Sequence, residues 1–122
     1  MASINIAAKH IFIMLGAYAV VFITTPGREE AEKIAKRLLD ERLAACVNIL
    51  DGVKSFFWWE GRVEEAAESL LIVKTRLDLL EKLIEAVRQA HSYTVPEIIA
   101  LPIIAGNTSY LEWIDQSVEK PR

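Results

Sequence analysis

The sequence predicts a single α+β domain built on one antiparallel sheet, with its helices packed on one face. Its length of 122 residues suits one compact core and is short for two. Hydrophobic residues make up 52% of the chain and charged residues 25%, which argues against a disordered or fibrous protein. The apolar pattern also changes period repeatedly between that of a strand and that of a helix. These observations together favour a globular domain of mixed class.

The first two predicted elements are a buried strand and an amphipathic helix. Residues 18–24 form a continuous β-prone run. Thr25 and Pro26 follow as the expected N-cap and first helical position. From Ala31 onward, apolar residues recur at helical spacing and give one buried stripe, so we expect this helix to run to about Arg42.

A long hairpin is predicted next. The β-prone segments 46–49 and 53–59 are separated by turn residues at 51–52, and a second turn at 60–61 precedes a strand that ends in residues 69–74. The outgoing strand closes with consecutive aromatic residues: Phe56, Phe57, Trp58 and Trp59. Because successive side chains in a strand point to opposite faces, these rings lie on both sides of the hairpin.

A second helix follows the hairpin. Residues 75–78, Thr-Arg-Leu-Asp, match a capping box and predict where this helix begins. Pro96 prevents the helix from continuing. The buried face of the helix is assigned to the residues at helical spacing: Leu80, Leu83, Ile84, Val87 and His91.

The chain closes with a strand and a short helix. Residues 98–105 are predicted as the last strand, and Pro102, which cannot donate to a ladder, places that strand at a sheet edge or bulge. Ser109 and Glu112 predict the capping box of a final helix that begins at about Tyr110. The complete order is therefore βαββαβ followed by a helix.

This order is the ferredoxin-like arrangement, an antiparallel sheet with both main helices on one face. The other face should then be polar, yet the aromatic run and residues 98–104 place apolar side chains on both sides. Burying one large apolar side chain is worth about 1.5–3 kcal/mol, so we expect an oligomer to cover the second face. A terminal helix that covers this face is the alternative.

Charge and cysteine content narrow the possible functions. Residues 20–119 carry 11 basic and 17 acidic side chains, a balance of −6, which disfavours nucleic-acid binding. Cys46 has no second cysteine with which to form an internal disulfide, so nothing requires an oxidising compartment and we expect a cytoplasmic protein. The acidic residues of the hairpin are assigned to a solvated edge: Glu60, Glu64, Glu65 and Glu68.

The N-terminal segment admits more than one interpretation. The apolar run 11–23 is 13 residues long, short of the roughly 20 that cross a bilayer, so no membrane span is predicted. Its flanks also fit a signal peptide, which is kept as an alternative. We assign residues 1–17 to an extension that is either disordered or upstream of a start at Met14, and residues 18–122 to a single domain.

Several short motifs are spaced along the chain between about residues 20 and 118. They are residues 44–49 (Ala-Ala-Cys-Val-Asn-Ile), 59–61 (Trp-Glu-Gly), 74–75 (Lys-Thr), 91–93 (His-Ser-Tyr), 96–97 (Pro-Glu), 101–102 (Leu-Pro) and 110–113 (Tyr-Leu-Glu-Trp). Together and in this order they resemble the CutA divalent-cation-tolerance family. The resemblance implies a ferredoxin-like subunit in a tight homotrimer, with strands that pair between subunits. It also implies a role in tolerance of metal ions, especially copper.

The candidate metal ligands are the thiolate of Cys46, the imidazole of His91 and the carboxylate of Glu97. No local CxxC, HxxxH or HExxH spacing is present, so such a site must be assembled across the fold. Thiolate and imidazole suit copper(II), and the resemblance supports these three positions as the family's cysteine, histidine and glutamate. The family's further cysteine is replaced here by threonine at 24–25, so thiolate-rich binding is not expected. A structural His91 in the last turn of its helix is the alternative.

Two other classes of function remain open. A PII-like signalling or small-molecule-binding trimer would use clefts between subunits. An acylphosphatase-like hydrolase would hold an anion with Arg28 at a helix N-terminus, although Glu29 and Glu30 beside it make a poor phosphate site. We expect a non-enzymatic homotrimer with no organic cofactor, which binds itself and divalent metal ions, copper(II) first among them.

Overall fold

The computed structural model describes residues 17–120, and within them the predicted order of elements is confirmed. Apart from Ala17, the predicted N-terminal extension lies outside the described residues. A 3₁₀ turn, Leu77–Leu79, joins the third strand to the second helix. The elements are β1 Tyr18–Thr25, α1 Arg28–Asp40, β2 Cys46–Trp59, β3 Arg62–Arg76, α2 Leu80–Ala90, β4 Ile98–Pro102 and α3 Thr108–Ser117.

The strands form one antiparallel sheet in the order β2-β3-β1-β4. β1 pairs with β3 along residues 69–76 and with β4 along residues 98–102. The remaining parts of the long hairpin, residues 53–59 and 62–68, pair only with each other and are called the arm below. The ladder shifts register between Leu50 and Val53, so a bulge separates the arm from the body of the sheet.

One face of the sheet packs against α1 and α2 and forms the main core. Alternate residues of β1 and β3 point to this face and meet the apolar stripes of the two helices, as the periodicity predicts. Both main helices therefore lie on one side, and the ferredoxin-like α+β class is confirmed. The fully buried side chains include Val21, Ile23, Leu71 and Val73 from the strands and Ile34, Leu38, Leu83 and Val87 from the helices.

The opposite face, called the open face below, is apolar and largely uncovered. α3 covers one end of it, where Leu111 and Ile114 pack against Tyr18. The alternative of a terminal helix over the second face is therefore correct only at this end. The alternation of the ladders assigns these apolar residues to the open face: Val20, Phe22, Leu50, Leu70, Ile72, Ile99 and Leu101.

Both predicted cap residues at the first two helices are wrong. Thr25 ends β1, its hydroxyl donates to the Gly27 carbonyl at 2.8 Å, and α1 begins only at Arg28. Thr75 lies within β3 and donates to the Leu43 carbonyl at 2.7 Å, so residues 75–78 are not a capping box. Both threonines are paired in the sheet and fully buried, so neither is free to cap a helix.

The other helix and strand ends differ from the predictions by a few residues. α1 ends at Asp40 because Arg42 adopts a left-handed φ of 58° and the Leu43 N–H bonds back to the Leu38 carbonyl, a Schellman-type closure. β4 ends at Pro102 instead of residue 105, and its place at the sheet edge is confirmed. The cap of α3 is Asn107, which accepts from the Ser109 N–H, and not Ser109 itself.

Candidate functional site

The arm presents its aromatic residues on both faces, and all four remain exposed in the single chain. Trp58 is 75% exposed and Phe56 64%, while Trp59 and Phe57 on the other face are 53% and 40% exposed. The charged neighbours do not cover them, although Lys54 lies 5.5 Å from the Phe56 ring centre and pairs with Glu65 at 2.7 Å. A contiguous aromatic surface of this kind is typical of a protein–protein interface.

His91 is the first residue after α2, and its side chain is fully buried. One ring nitrogen, Nδ1, accepts a hydrogen bond from the Tyr93 N–H at 3.0 Å. The other, Nε2, lies 2.7 Å from the Thr24 carbonyl oxygen, which can only accept, so the neutral ring carries its proton on Nε2. The ring is therefore held in one orientation and one tautomer. His91 follows the helix instead of ending its apolar stripe.

A carboxylate lies beside the unprotonated nitrogen of His91. The Oε2 atom of Glu30, in the first turn of α1, is 3.3 Å from Nδ1. The Ser92 N–H donates to the same oxygen at 3.2 Å and orients the carboxylate. The sequence does not predict this contact, because Glu30 and His91 are far apart in the chain and no local motif joins them.

Tyr93 connects this histidine to a second carboxylate. Its ring stacks at a tilt on His91, with ring centres 4.9 Å apart, and its hydroxyl donates to Glu68 Oε2 at 3.0 Å. Burial raises the pKa of Tyr93 to about 12, and the hydrogen bond to the Glu68 carboxylate adds to the rise. Glu68 is only 8% exposed, so its predicted place on a solvated edge is wrong.

Cys46 begins β2 on the open face and is half-buried. Its sulfur lies 3.9 Å from the Lys74 ammonium and 3.9 Å from the Asn48 side-chain oxygen, and Lys74 also donates to Asn48. Tyr110 of α3 lies beside the thiol, and its pKa is raised by burial and then by the neighbouring Cys46. The thiol therefore belongs to a small polar group in an otherwise apolar surface.

The described subunit does not bring Cys46 and His91 together. Cys46 pairs with Lys74 of β3, which in turn pairs with Val20 of β1. The His91 ring bonds to Thr24, which lies four residues beyond Val20 along β1. Four strand residues span about 13 Å, so the two side chains lie at opposite ends of the sheet. One subunit therefore cannot use both as ligands of a single ion.

Glu97 lies at the same end of the sheet as His91 but is exposed. It directly precedes β4, whose Ile98 pairs with Ile23 of β1. Within residues 17–120 it makes neither a hydrogen bond nor an ion pair. In the same part of the chain, no three His, Cys, Asp or Glu side chains are close enough to hold a metal ion.

The cations that could bind an anion are already paired with carboxylates. The Arg28 guanidinium is bound by Glu32 at 3.1 Å and Asp51 at 2.9 Å, so the hydrolase hypothesis loses its anion-binding arginine. An open groove of about 370 Å³ lies between α1 and α2, and its cations Arg37 and Lys82 are already paired with carboxylates. Among the described residues, no helix has the length and apolar content to cross a membrane.

Comparison with known proteins gives one consistent family. A model described as CutA1 divalent ion tolerance protein matches residues 19–117. The divalent-cation tolerance protein CutA of Archaeoglobus fulgidus is 54% identical over 99 residues, covering 81% of this chain and 96% of the relative. Protein CutA 1, chloroplastic, of Oryza sativa is 50% identical over 101 residues, covering 83% of this chain but only 57% of the longer rice protein.

Solved structures agree with the fold. The divalent cation tolerance protein from Thermus thermophilus superposes with a TM-score of 0.82 at 51% identity, covering 84% of this chain and 99% of that one. CutA1 from Oryza sativa gives a TM-score of 0.84 at 47% identity, covering 88% and 99%. The Archaeoglobus fulgidus structure, described as a periplasmic protein, gives 0.82 at 52% identity, covering 84% and 99%.

Proposed function

Because the chain belongs to the CutA1 divalent ion tolerance protein family, we propose that it contributes to divalent-cation tolerance as a homotrimer that binds copper(II). The family is described by ion tolerance and not by a reaction, which supports a non-enzymatic role. A cytoplasmic location is part of the proposal, since a chain with a single cysteine needs no oxidising compartment. Relatives from other organisms are described as chloroplastic or periplasmic.

The open face and the arm support association of subunits, while the number of three rests on the family resemblance. Ile99 and Leu101 on the open face are each about half exposed, at 52% and 51%, and Trp58 on the arm is 75% exposed. Leaving these groups in water forgoes about 1.5–3 kcal/mol for each large side chain. Association of subunits through these surfaces recovers that free energy.

The observation that carries copper binding is the fixed orientation of His91. Its Nε2–H is bonded to the Thr24 carbonyl, so the electron pair for a metal is on Nδ1, beside a carboxylate oxygen. Imidazole nitrogen and carboxylate oxygen are both ligands that copper(II) accepts. Cys46 and Glu97 remain predicted ligands, and Cys46 could join His91 only from a neighbouring subunit.

Calorimetric titration of copper(II) into the full chain tests this proposal. We expect saturable binding that weakens at least tenfold in His91→Gln, which can still donate an amide N–H to Thr24 but has no imidazole. Cys46→Ser and Glu97→Gln test the other two predicted ligands, and Lys36→Ala on the exposed side of α1 is the control. Absence of binding by the unmodified chain would overturn copper binding, and unchanged affinity in all three variants would overturn the ligand assignment.

A further inference from the structure

We infer that Glu30, and not Glu97, is the carboxylate that binds a divalent cation together with His91 within one subunit. This inference rests on the proposed copper-binding function and adds to it a ligand that the sequence motifs do not indicate. The site consists of two side chains, His91 Nδ1 and Glu30 Oε2, at the junction of α1, β1 and the segment after α2.

The histidine is already arranged as metal ligands commonly are. A metal-bound imidazole usually donates its second ring N–H to a carbonyl or carboxylate, which fixes the tautomer and the ring plane. His91 does this through Nε2 and the Thr24 carbonyl at 2.7 Å. The side chain has no other freedom, because it is fully buried.

The spacing of the two ligand atoms fits one ion. A divalent ion such as zinc holds nitrogen and oxygen ligands at about 2.0–2.2 Å, so two adjacent ligands lie about 3 Å apart. The Nδ1 and Oε2 atoms are 3.3 Å apart. An ion placed between the two atoms would take one electron pair from each of them.

Access and competition set the strength of this site. Glu30 has a side chain 20% exposed, which leaves a path for the ion and for the waters that complete its coordination. The Tyr93 N–H, however, already donates to Nδ1 at 3.0 Å and must be displaced. Tyr93 lies in an irregular segment, so this displacement does not break a helix or a ladder. We therefore expect weak binding that moves only the Tyr93 N–H away from Nδ1 and keeps the Ser92 bond to Glu30.

Glu97 lacks the geometry for this role. It is exposed and makes no ion-pair contact with His91, whereas Glu30 does. Ser92 also anchors the Glu30 carboxylate through its backbone N–H at 3.2 Å, and no comparable bond orients Glu97 among the described residues. The carboxylate that is both oriented and adjacent is the better ligand, because less conformational entropy is lost on binding.

The test is copper(II) titration of the full chain and its Glu30→Gln, Glu97→Gln and Glu29→Gln variants, with electron paramagnetic resonance as a second readout. Glu29→Gln is the matched control. It removes the same charge at the neighbouring position, and the Glu29 side chain is 90% exposed. We expect at least a tenfold loss of affinity in Glu30→Gln alone, with the nitrogen hyperfine signal of one imidazole in the bound form of the unmodified chain.

The outcomes separate this inference from the function on which it rests. Unchanged affinity in Glu30→Gln, or an equal or larger loss in Glu97→Gln, overturns the role of Glu30 and leaves copper binding intact. Absence of copper binding in the unmodified chain overturns the proposed function itself. Thermal unfolding of each variant shows whether a loss comes from the ligand or from the fold.

Discussion

Arg76 and Tyr18 hold α3 against the end of the sheet. The Arg76 side chain is 8% exposed and makes two bonds to Asp78, at 2.7 and 3.1 Å, and one to the Glu119 carbonyl at 2.9 Å. The Tyr18 hydroxyl donates to Asp115 of α3 at 2.5 Å. These contacts join three parts of the chain at the covered end of the open face. At the other end of β1, the bond from His91 to the Thr24 carbonyl joins the chain in a similar way.

Replacing Arg76 by methionine should lower the free energy of unfolding by about 1.5–3 kcal/mol, the usual worth of hydrogen bonds to a charged group. The packing volume is largely kept, so the loss reports the guanidinium contacts. Urea unfolding at fixed protein concentration measures the change. Arg88→Met is the control, because Arg88 is exposed on α2 and its change should stay within about 0.5 kcal/mol. Equal effects in both variants would contradict this account.

Two tyrosines with raised pKa values, Tyr18 and Tyr93, predict a loss of stability at high pH. Burial raises the pKa of Tyr18 to about 12, and the hydrogen bond to Asp115 adds to the rise; Tyr93 is raised to about 12 as well. Because the unfolded side chain titrates near 10, the folded state holds the proton more tightly, and this stability is complete below pH 10. It is then lost as the pH rises through 12.

The free energy of unfolding should therefore fall between pH 10 and 12 more steeply in the unmodified chain than in Tyr18→Phe, which has no phenol proton to lose. Denaturant unfolding at a series of pH values gives both slopes. Tyr93→Phe should flatten the curve in the same way. Parallel curves for the unmodified chain and Tyr18→Phe would show that the phenol of Tyr18 titrates normally.

Contacts between distant residues also explain what the sequence could not predict. The motif around His91 predicts this residue but not its partner Glu30, which lies on another helix. The charge pattern of the hairpin places Glu68 in solvent, whereas the structure pairs it with Tyr93. Thr25 and Thr75 resemble helix caps locally, yet the ladders of β1 and β3 use both. Periodicity therefore predicts the elements, while three-dimensional packing decides caps and side-chain pairs.

At the scale of elements, the arm depends on its two turns. Glu60 and Gly61 both have positive φ, 50° and 77°, as a two-residue hairpin turn with the twist of the strands requires. Gly52 also has a positive φ, 74°, where the ladder shifts register. These turn residues predict the two strands of the hairpin. They do not predict that β2 continues through the bulge as one strand from Cys46 to Trp59.

Gly61→Ala should destabilise the chain by about 1–2 kcal/mol, the cost of a left-handed conformation with a Cβ atom. An added Cβ meets no atom within 4 Å, so the loss would come from the backbone alone. Gly106→Ala is the matched control, since its Cβ makes only ordinary contacts at 3.7–3.8 Å. Thermal unfolding compares the two, and a loss of equal size in both would show that the left-handed conformation of Gly61 is not its cause.

At the scale of the whole molecule, the covered and uncovered surfaces divide the sheet in two. The helix face buries its apolar residues within one chain. The open face and the arm leave theirs exposed, although their patterns are equally apolar. The sequence already indicates exposed apolar surface, because the run Phe56–Trp59 places aromatic side chains on both faces of its strand. It could not indicate that α3 covers only one end.

The last prediction concerns the mass of the assembly in solution. Light scattering coupled to size exclusion should give three times the chain mass of 13.7 kDa for the unmodified protein. Trp58→Glu should dissociate it toward single chains, because the change removes about 1.5–3 kcal/mol of apolar burial and places an unpaired charge at the interface. Lys36→Glu on the exposed side of α1 should leave the mass unchanged.

The mass measurement also tests the arm as the site of contact. A single-chain mass for the unmodified protein at micromolar concentration would contradict the homotrimer, and a full assembly of Trp58→Glu would place the contact elsewhere. Ile99→Glu on the open face should also lower the mass, because Ile99 is 52% exposed in the single chain and its burial at an interface would favour assembly. If Ile99→Glu leaves the mass unchanged while Trp58→Glu lowers it, the contact lies at the arm and not on the open face.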